Sequence, residues 1–186
     1  GDVYKRQLTA SPASLNLEPN GTATTNEQGQ AIFTATTTVA ATYTLKAQVS
    51  QTNGQVSTKT AESKFVADDK NAELTASSDV QSLVADGKST AKLEVTLFSA
   101  NNPVGGNVWV DIEAPEGVTE KDYQFLPSKN DHFVSGKITR TFSTSKPGVY
   151  TFTFNALTYG GYEMKPVTVT ITAVDADTAK GEEAMK

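Results

Sequence analysis

Apolar and polar residues alternate along several stretches of this chain, with a period of two. From Tyr43 onward Tyr43, Leu45, Ala47 and Val49 alternate with Thr44, Lys46 and Gln48. From Tyr150 onward Tyr150, Phe152, Phe154 and Ala156 alternate with Thr151, Thr153 and Asn155. Successive side chains of a strand point to opposite faces, so each run predicts a strand with one buried and one wet face. Two further runs put Leu93, Val95 and Leu97, and then Val108, Val110 and Ile112, on one face each. Additional β segments are predicted around 123–126 and 133–142. Turn signals separate the runs: Asn53-Gly54, Asn101-Asn102-Pro103 and Gly160-Gly161. The one helix-friendly stretch is the polar tail, 178–186, which Gly181 interrupts; it predicts at most a short, frayed helix.

Two of these stretches repeat each other. The spacing from Gly29 to Tyr43 equals that from Gly136 to Tyr150, and each tyrosine opens an alternating strand. Each copy then turns at a glycine site, runs through a last strand (57–66 or 167–174) and ends in acidic residues, Asp68-Asp69 or Asp175-Ala176-Asp177. The second copy also has a front half, from Leu74 through the Ile112 strand, that the first lacks. About seven short strands at this turn spacing, over about 100 residues, predict an all-β, immunoglobulin-like β-sandwich. The expected organisation is therefore a complete domain at 68–175, the C-terminal part of another at 8–67, and a polar tail or linker at 176–186. Residues 1–7, Gly1-Asp2-Val3-Tyr4-Lys5-Arg6-Gln7, back-translate to a sequence resembling the transposase end of sequencing-library adaptors. They are read as a segment foreign to the native protein and excluded from fold reasoning.

Composition narrows the function. With 37% hydrophobic residues the chain can bury a core, and its Thr, Val and Ser content suits strands. The net charge is −5 and the pI about 4.9, which argues against nucleic-acid partners and against an anionic membrane face. No apolar run reaches the length of a membrane span. The absence of cysteine excludes disulfides and thiolate chemistry. There is a single histidine, His132, so no pair of histidines can hold a zinc ion.

At several motifs the chain resembles the bacterial immunoglobulin-like domain (group 1) that occurs in tandem in intimin and invasin adhesins. Ala85-Asp86-Gly87-Lys88-Ser89-Thr90-Ala91 resembles that family's opening, and Asn102-Pro103-Val104 its central turn. Thr25-Asn26-Glu27-Gln28-Gly29-Gln30-Ala31 resembles its late turn, with Asn26 in place of Asp. Pro147-Gly148-Val149-Tyr150 resembles the start of its penultimate strand. The first copy departs at that last motif, with Ala40-Ala41-Thr42-Tyr43, and the second departs at the late turn, 129–136. The resemblance implies a structural spacer, or stalk, in a bacterial surface adhesin that presents a terminal binding domain. It implies an extracellular location, anchored in the outer membrane through regions outside this sequence, with neighbouring immunoglobulin-like domains as partners. It implies neither an enzyme nor a cofactor.

Tyr43 and Tyr150 resemble the tyrosine of immunoglobulin-like domains that packs and hydrogen-bonds near the start of a late strand, and Gly87 and Gly148 are assigned structural turn roles. His132 lacks any nucleophile-elbow context and is read as an ordinary loop or strand histidine. Glu113, Glu116, Glu120 and Asp122 read as solvated charges rather than a glycosidase pair. Asp68, Asp69, Asp175 and Asp177 read as solvated linker residues rather than calcium ligands. Trp109 should share the outer face of its strand with Asp111 and Glu113, unless a bulge turns it into the core. Trp109, Tyr159 and Tyr162 are therefore the candidate surface contacts, should this segment itself bind a host protein or glycan.

Overall fold

The computed structural model describes residues 5–50 and 54–177. The chain divides between Ala67 and Asp68 into two units, each described by itself.

The second unit opens with a short 3-10 turn, Asp69–Asn71, followed by β7 (Glu73–Ser78), β8 (Ser82–Val84) and β9 (Ala91–Ser99). It continues through β10 (Asn102–Pro103), β11 (Gly106–Glu113), β12 (Tyr123–Leu126), β13 (Asn130–His132), β14 (Lys137–Thr144), β15 (Gly148–Thr158) and β16 (Val167–Val174). Of the stretch expected as one segment around 133–142, only the part from Lys137 onward is strand, in β14; β13 ends at His132, and a turn with positive φ at Ser135 and Gly136 precedes β14.

One sheet runs β10-β9-β14-β12 with β7 also on β9, and the other runs β13-β11-β15-β16-β8. Taken as β7-β9-β14-β12 facing β11-β15-β16, this is the ABED-on-CFG arrangement of an immunoglobulin-like sandwich. The alternation read from the sequence decides the inner faces. Ala91, Leu93, Val95 and Leu97 of β9 are fully buried, as are Tyr150 and Phe152 of β15. Phe142 of one sheet meets Phe152 of the other edge to face at 4.9 Å, and Phe125 stacks on Phe152 at 5.6 Å. Burial of each such ring is worth about 1.5–3 kcal/mol, and the ring geometry adds about 0.5–1.5 kcal/mol.

The first unit holds β1 (Lys5–Ser11), β2 (Asn16–Glu18), β3 (Thr22–Thr24), β4 (Thr34–Thr36), β5 (Ala41–Ser50) and β6 (Val56–Phe65). These pair as β3-β1-β5-β6 and as β2-β4. The order repeats the second unit from β11 onward: β1 lies between β3 and β5 as β11 lies between β13 and β15, and β2 pairs β4 as β12 pairs β14. Asn53 and the 178–186 tail lie outside the described residues, while Gly54 has the positive φ of a turn glycine.

Candidate functional site

The most regular polar feature of the chain is a hydrogen-bonded corner around each repeated tyrosine. The Tyr150 hydroxyl donates to the Lys146 carbonyl at 2.8 Å, four residues upstream, and shares a 2.7 Å hydrogen bond with Thr144 Oγ1, six residues upstream. The Tyr43 hydroxyl donates to the Val39 carbonyl at 2.8 Å and meets Thr37 Oγ1 at 3.0 Å, at the same separations. In both corners the hydroxyl of the threonine also accepts the N–H two residues on, from Lys146 or Val39. Burial raises the Tyr150 phenol above its ordinary pKa. Both rings are fully buried, so the corner locks the approach to β5 and β15 rather than offering a reactive group.

The two assigned glycines sit where side chains are excluded or strained. Gly148 has φ +133°, and a Cβ there would run into the Pro115 ring. Gly87 has φ +74° and donates its N–H to the Thr144 carbonyl at 2.9 Å, beside the tyrosine corner. The preceding Asp86 closes the turn by accepting the N–H groups of Lys88 and Ser89. Those hydrogen bonds, that from Ser89 first, hold its carboxyl below the ordinary range.

The candidate catalytic acids do not converge. Glu120 pairs with Lys129, and Asp122 accepts the Thr119 N–H at 2.9 Å. His132 is exposed at the edge of β13, its Nδ1 3.5 Å from Asp131. Among the described residues no group of three or more His, Asp or Glu side chains is gathered to hold a metal ion.

The junction aspartates behave individually. Asp68 accepts from Asn71 Nδ2 at 2.6 Å, and Asp175 accepts the Asp177 N–H at 2.9 Å. Asp69 is not a solvated linker residue. Its Oδ2 accepts a 3.0 Å hydrogen bond from the buried Thr158 hydroxyl and occupies the space beside Gly160, where a Cβ would collide with it. The acid thus ties the start of the second unit to its β15–β16 turn.

Trp109 lies on the outer face of β11, half-buried, in the alternation with buried Val108 and Val110; no bulge turns it inward. It is flanked in register by Asn155 of β15 and Asn130 of β13. Next along the same face, Asn155 Nδ2 donates to Asp111 at 3.2 Å. Tyr159 and Tyr162 are exposed at the β15–β16 turn, with the Tyr159 ring packed against Gly105.

Sequence reasoning missed Arg140. It stands in β14 between inward-facing Ile138 and Phe142 and is 4% exposed. Its guanidinium donates to Asp131 at 2.6 Å on β13 of the opposite sheet, and to the carbonyls of Ser128 and Thr139, each at 2.8 Å. The hydrogen bond from Arg140 first, and then that from the His132 N–H, hold the Asp131 carboxyl below its ordinary range. The parity of β14 was the available signal: Arg140 has the phase of its apolar neighbours.

No family model and no curated protein matches the chain. Among solved structures it is similar to InvD of Yersinia pseudotuberculosis, at 15% identity and TM-score 0.52, over 93% of this chain and 48% of that one. It is also similar to the D00-D0 domain of Intimin, at 15% identity and TM-score 0.45, over 94% of this chain and 85% of that one. A glycosyl hydrolase family 2 member from Bacteroides cellulosilyticus aligns at 16% identity and TM-score 0.42, over 90% of this chain and 23% of that one. The likeness to InvD is one of fold, in keeping with the immunoglobulin-like strand order.

Proposed function

We propose that this chain is a stalk segment of a bacterial surface adhesin of the intimin and invasin kind, in which tandem immunoglobulin-like domains hold a terminal binding domain away from the cell. The observation that carries the reading is the duplication: the same strand order and the same tyrosine corner occur twice in tandem. A spacer needs a stable core, a short junction and no reactive centre. The second unit has the core, the division at Ala67/Asp68 leaves a short junction, and its acids and single histidine are dispersed. The sequence motifs from Ala85 to Ala91 and from Pro147 to Tyr150 support the same family. On this reading the segment is extracellular, the parent protein is anchored in the outer membrane, and the partners are neighbouring domains of the same polypeptide.

The same reading takes the first unit as the late strands of a domain whose front strands are not in this sequence, and residues 1–7 as foreign. Support for the latter comes from Arg6. It pairs with Val49 as Val108 pairs with Ala156, so it holds an inward position, and its buried Nε has no hydrogen-bond partner. Its Nη2 makes one long hydrogen bond, 3.4 Å to the Gly29 carbonyl, which is weak compensation at a core position.

A second reading, a module that itself contacts a host protein or glycan, draws on Trp109 between Asn130 and Asn155, with Tyr159 and Tyr162. Host-cell and glycan-array binding by residues 68–175 separates the two. A spacer shows no saturable binding. Saturable binding lost in Trp109→Ala would replace the stalk reading with the second.

A further inference from the structure

The N-terminal segment of the second unit is held in both sheets. β7 lies on β9 in one of them, Glu73 opposite Phe98 and Ser78 opposite Leu93. Residues 79–81 then lead into β8, which joins the other sheet and pairs in parallel with β16, Ser82 opposite Thr172 and Val84 opposite Val174. Among the described residues β8 has no other strand neighbour, whereas β16 is also paired with β15 over 167–173. Hydrogen bonds close the pair at both ends. The Thr172 N–H donates to the Gln81 carbonyl at 2.9 Å, and the Ala85 N–H donates to the Val174 carbonyl at 2.8 Å. Leu83, Ala85, Ile171 and Ala173 are buried beneath the pair, which keeps water from replacing these bonds from the core side.

The direction of the chain through this pair decides how it meets a pull. The chain enters β8 at Ser82 and leaves the last strand, β16, at Val174. Because the two strands are parallel, those points lie at opposite ends of one pair. Tension between the two ends of the unit therefore acts along the strands, drawing β8 back towards Ser82 and β16 onwards past Val174. The evenly spaced bonds of a parallel ladder are then stretched together and yield together. A pair pulled apart from one end is loaded bond by bond and opens in turn. Load entering at Asp68 meets the Asp69–Thr158 hydrogen bond and the β7–β9 ladder first, and the β8–β16 pair after them.

We propose that the parallel β8–β16 pair is the tension-bearing contact of the second unit, the one that sets how much pull this segment carries before it unfolds. Its use rests on the stalk reading, since a spacer that holds a bound domain away from a surface is pulled through its two ends. The geometry stands without that reading. Resistance to tension thus resides in a few residues of the first and last segments, while resistance to denaturant resides in the aromatic core.

The test is single-molecule stretching of the full chain, which has no cysteine, so that introduced cysteines give unique attachment points. One version carries Val66→Cys and Asp177→Cys, both at exposed positions, and loads the second unit through its two ends. The other carries Lys88→Cys, also exposed, with Asp177→Cys. Lys88 follows β8, so this pull enters at the Val84–Val174 end and opens the pair bond by bond. At equal tension the end-loaded version should unfold more slowly by about tenfold or more, the effect of a bond or two that must break at once rather than in turn. Ala85→Pro removes the donor to Val174 and should narrow that gap by speeding the end-loaded version. Val110→Ala weakens the core away from the pair and should speed both versions alike, preserving the gap. Equal rates for the two attachments, or a gap that survives Ala85→Pro, would overturn the proposal. If Ala85→Pro does not fold, the two attachments in the otherwise native chain decide alone. Saturable host binding would remove the stalk reading and leave these rates as they are.

Discussion

Arg140 shows how one residue can connect the two sheets of the second unit. A guanidinium in a core position is tolerated because a carboxylate and two carbonyls meet it. Asp131→Asn leaves that charge uncompensated and should cost about 1–3 kcal/mol, below the cost of breaking a fully buried pair because Asp131 itself is partly exposed. Arg140→Met in the same background should recover much of the loss, since the first unit places Phe33 at this position. The pH dependence follows from the depressed pKa of Asp131. Its contribution is fully present above the unfolded carboxylate value of about 3.9 and is lost as pH falls through the lower folded value. Melting temperatures measured between about pH 5 and pH 2 should therefore fall more steeply for the native chain than for Asp131→Asn. On the opposite sheet Phe152 is fully buried while its neighbour Thr151 is half-buried on the outer face. Phe152→Ala should destabilise by about 3–5 kcal/mol and Thr151→Ala by under about 1 kcal/mol, measured by denaturant unfolding of residues 68–175. Equal costs would contradict the face assignment.

Strands of the same sequence pattern differ in what surrounds them. In β15 every second residue from Tyr150 to Ala156 is buried, whereas in β5 Tyr43 alone is buried and Ala47 is exposed. Alternation selects a face, but protection requires a second sheet to cover it. Hydrogen exchange should thus be slow through Tyr150, Phe152 and Phe154 and faster through Leu45, Ala47 and Val49, by about the free-energy gap between global and local opening. Similar protection factors in the two strands would mean that β5 is covered in solution. Turns need less support: Asn26 Oδ1 accepts the N–H groups of Gln28 and Gln30, and Asp86 does the same for Lys88 and Ser89. These loops close through their own side chains, which explains why they are recognisable in the sequence.

At the scale of the whole chain, the two units are unequal partners in stability. A sandwich with both sheets formed can support cooperative folding, while a few strands with open edges are marginal. Residues 68–175 expressed alone should show a β-type circular dichroism spectrum and one cooperative melt. Its midpoint should coincide with the upper transition of the full chain. A disordered product would show that the second unit depends on the first. The tie from Asp69 to Thr158 lies within this boundary, so a fragment beginning at residue 72 should be less stable than one beginning at 68.

The sequence by itself determined the β class, the inner and outer phase of β9, β11 and β15, that of β5 as far as Leu45, the turn at Gly160-Gly161 and the internal duplication. All of these are set by neighbours a few residues apart, through the period of two, the Asx turns and the glycines with positive φ. Tertiary structure alone decided which strands share a sheet, that Arg140 reaches Asp131 across the sandwich, and that Asp69 accepts a hydrogen bond from Thr158. It also decided that the same inward phase is covered in one unit and open in the other. A charge in a strand reads as solvated until its partner is found, and an alternating strand reads as buried until the sheet opposite is found. Both depend on segments far along the chain, and a local pattern carries no record of them.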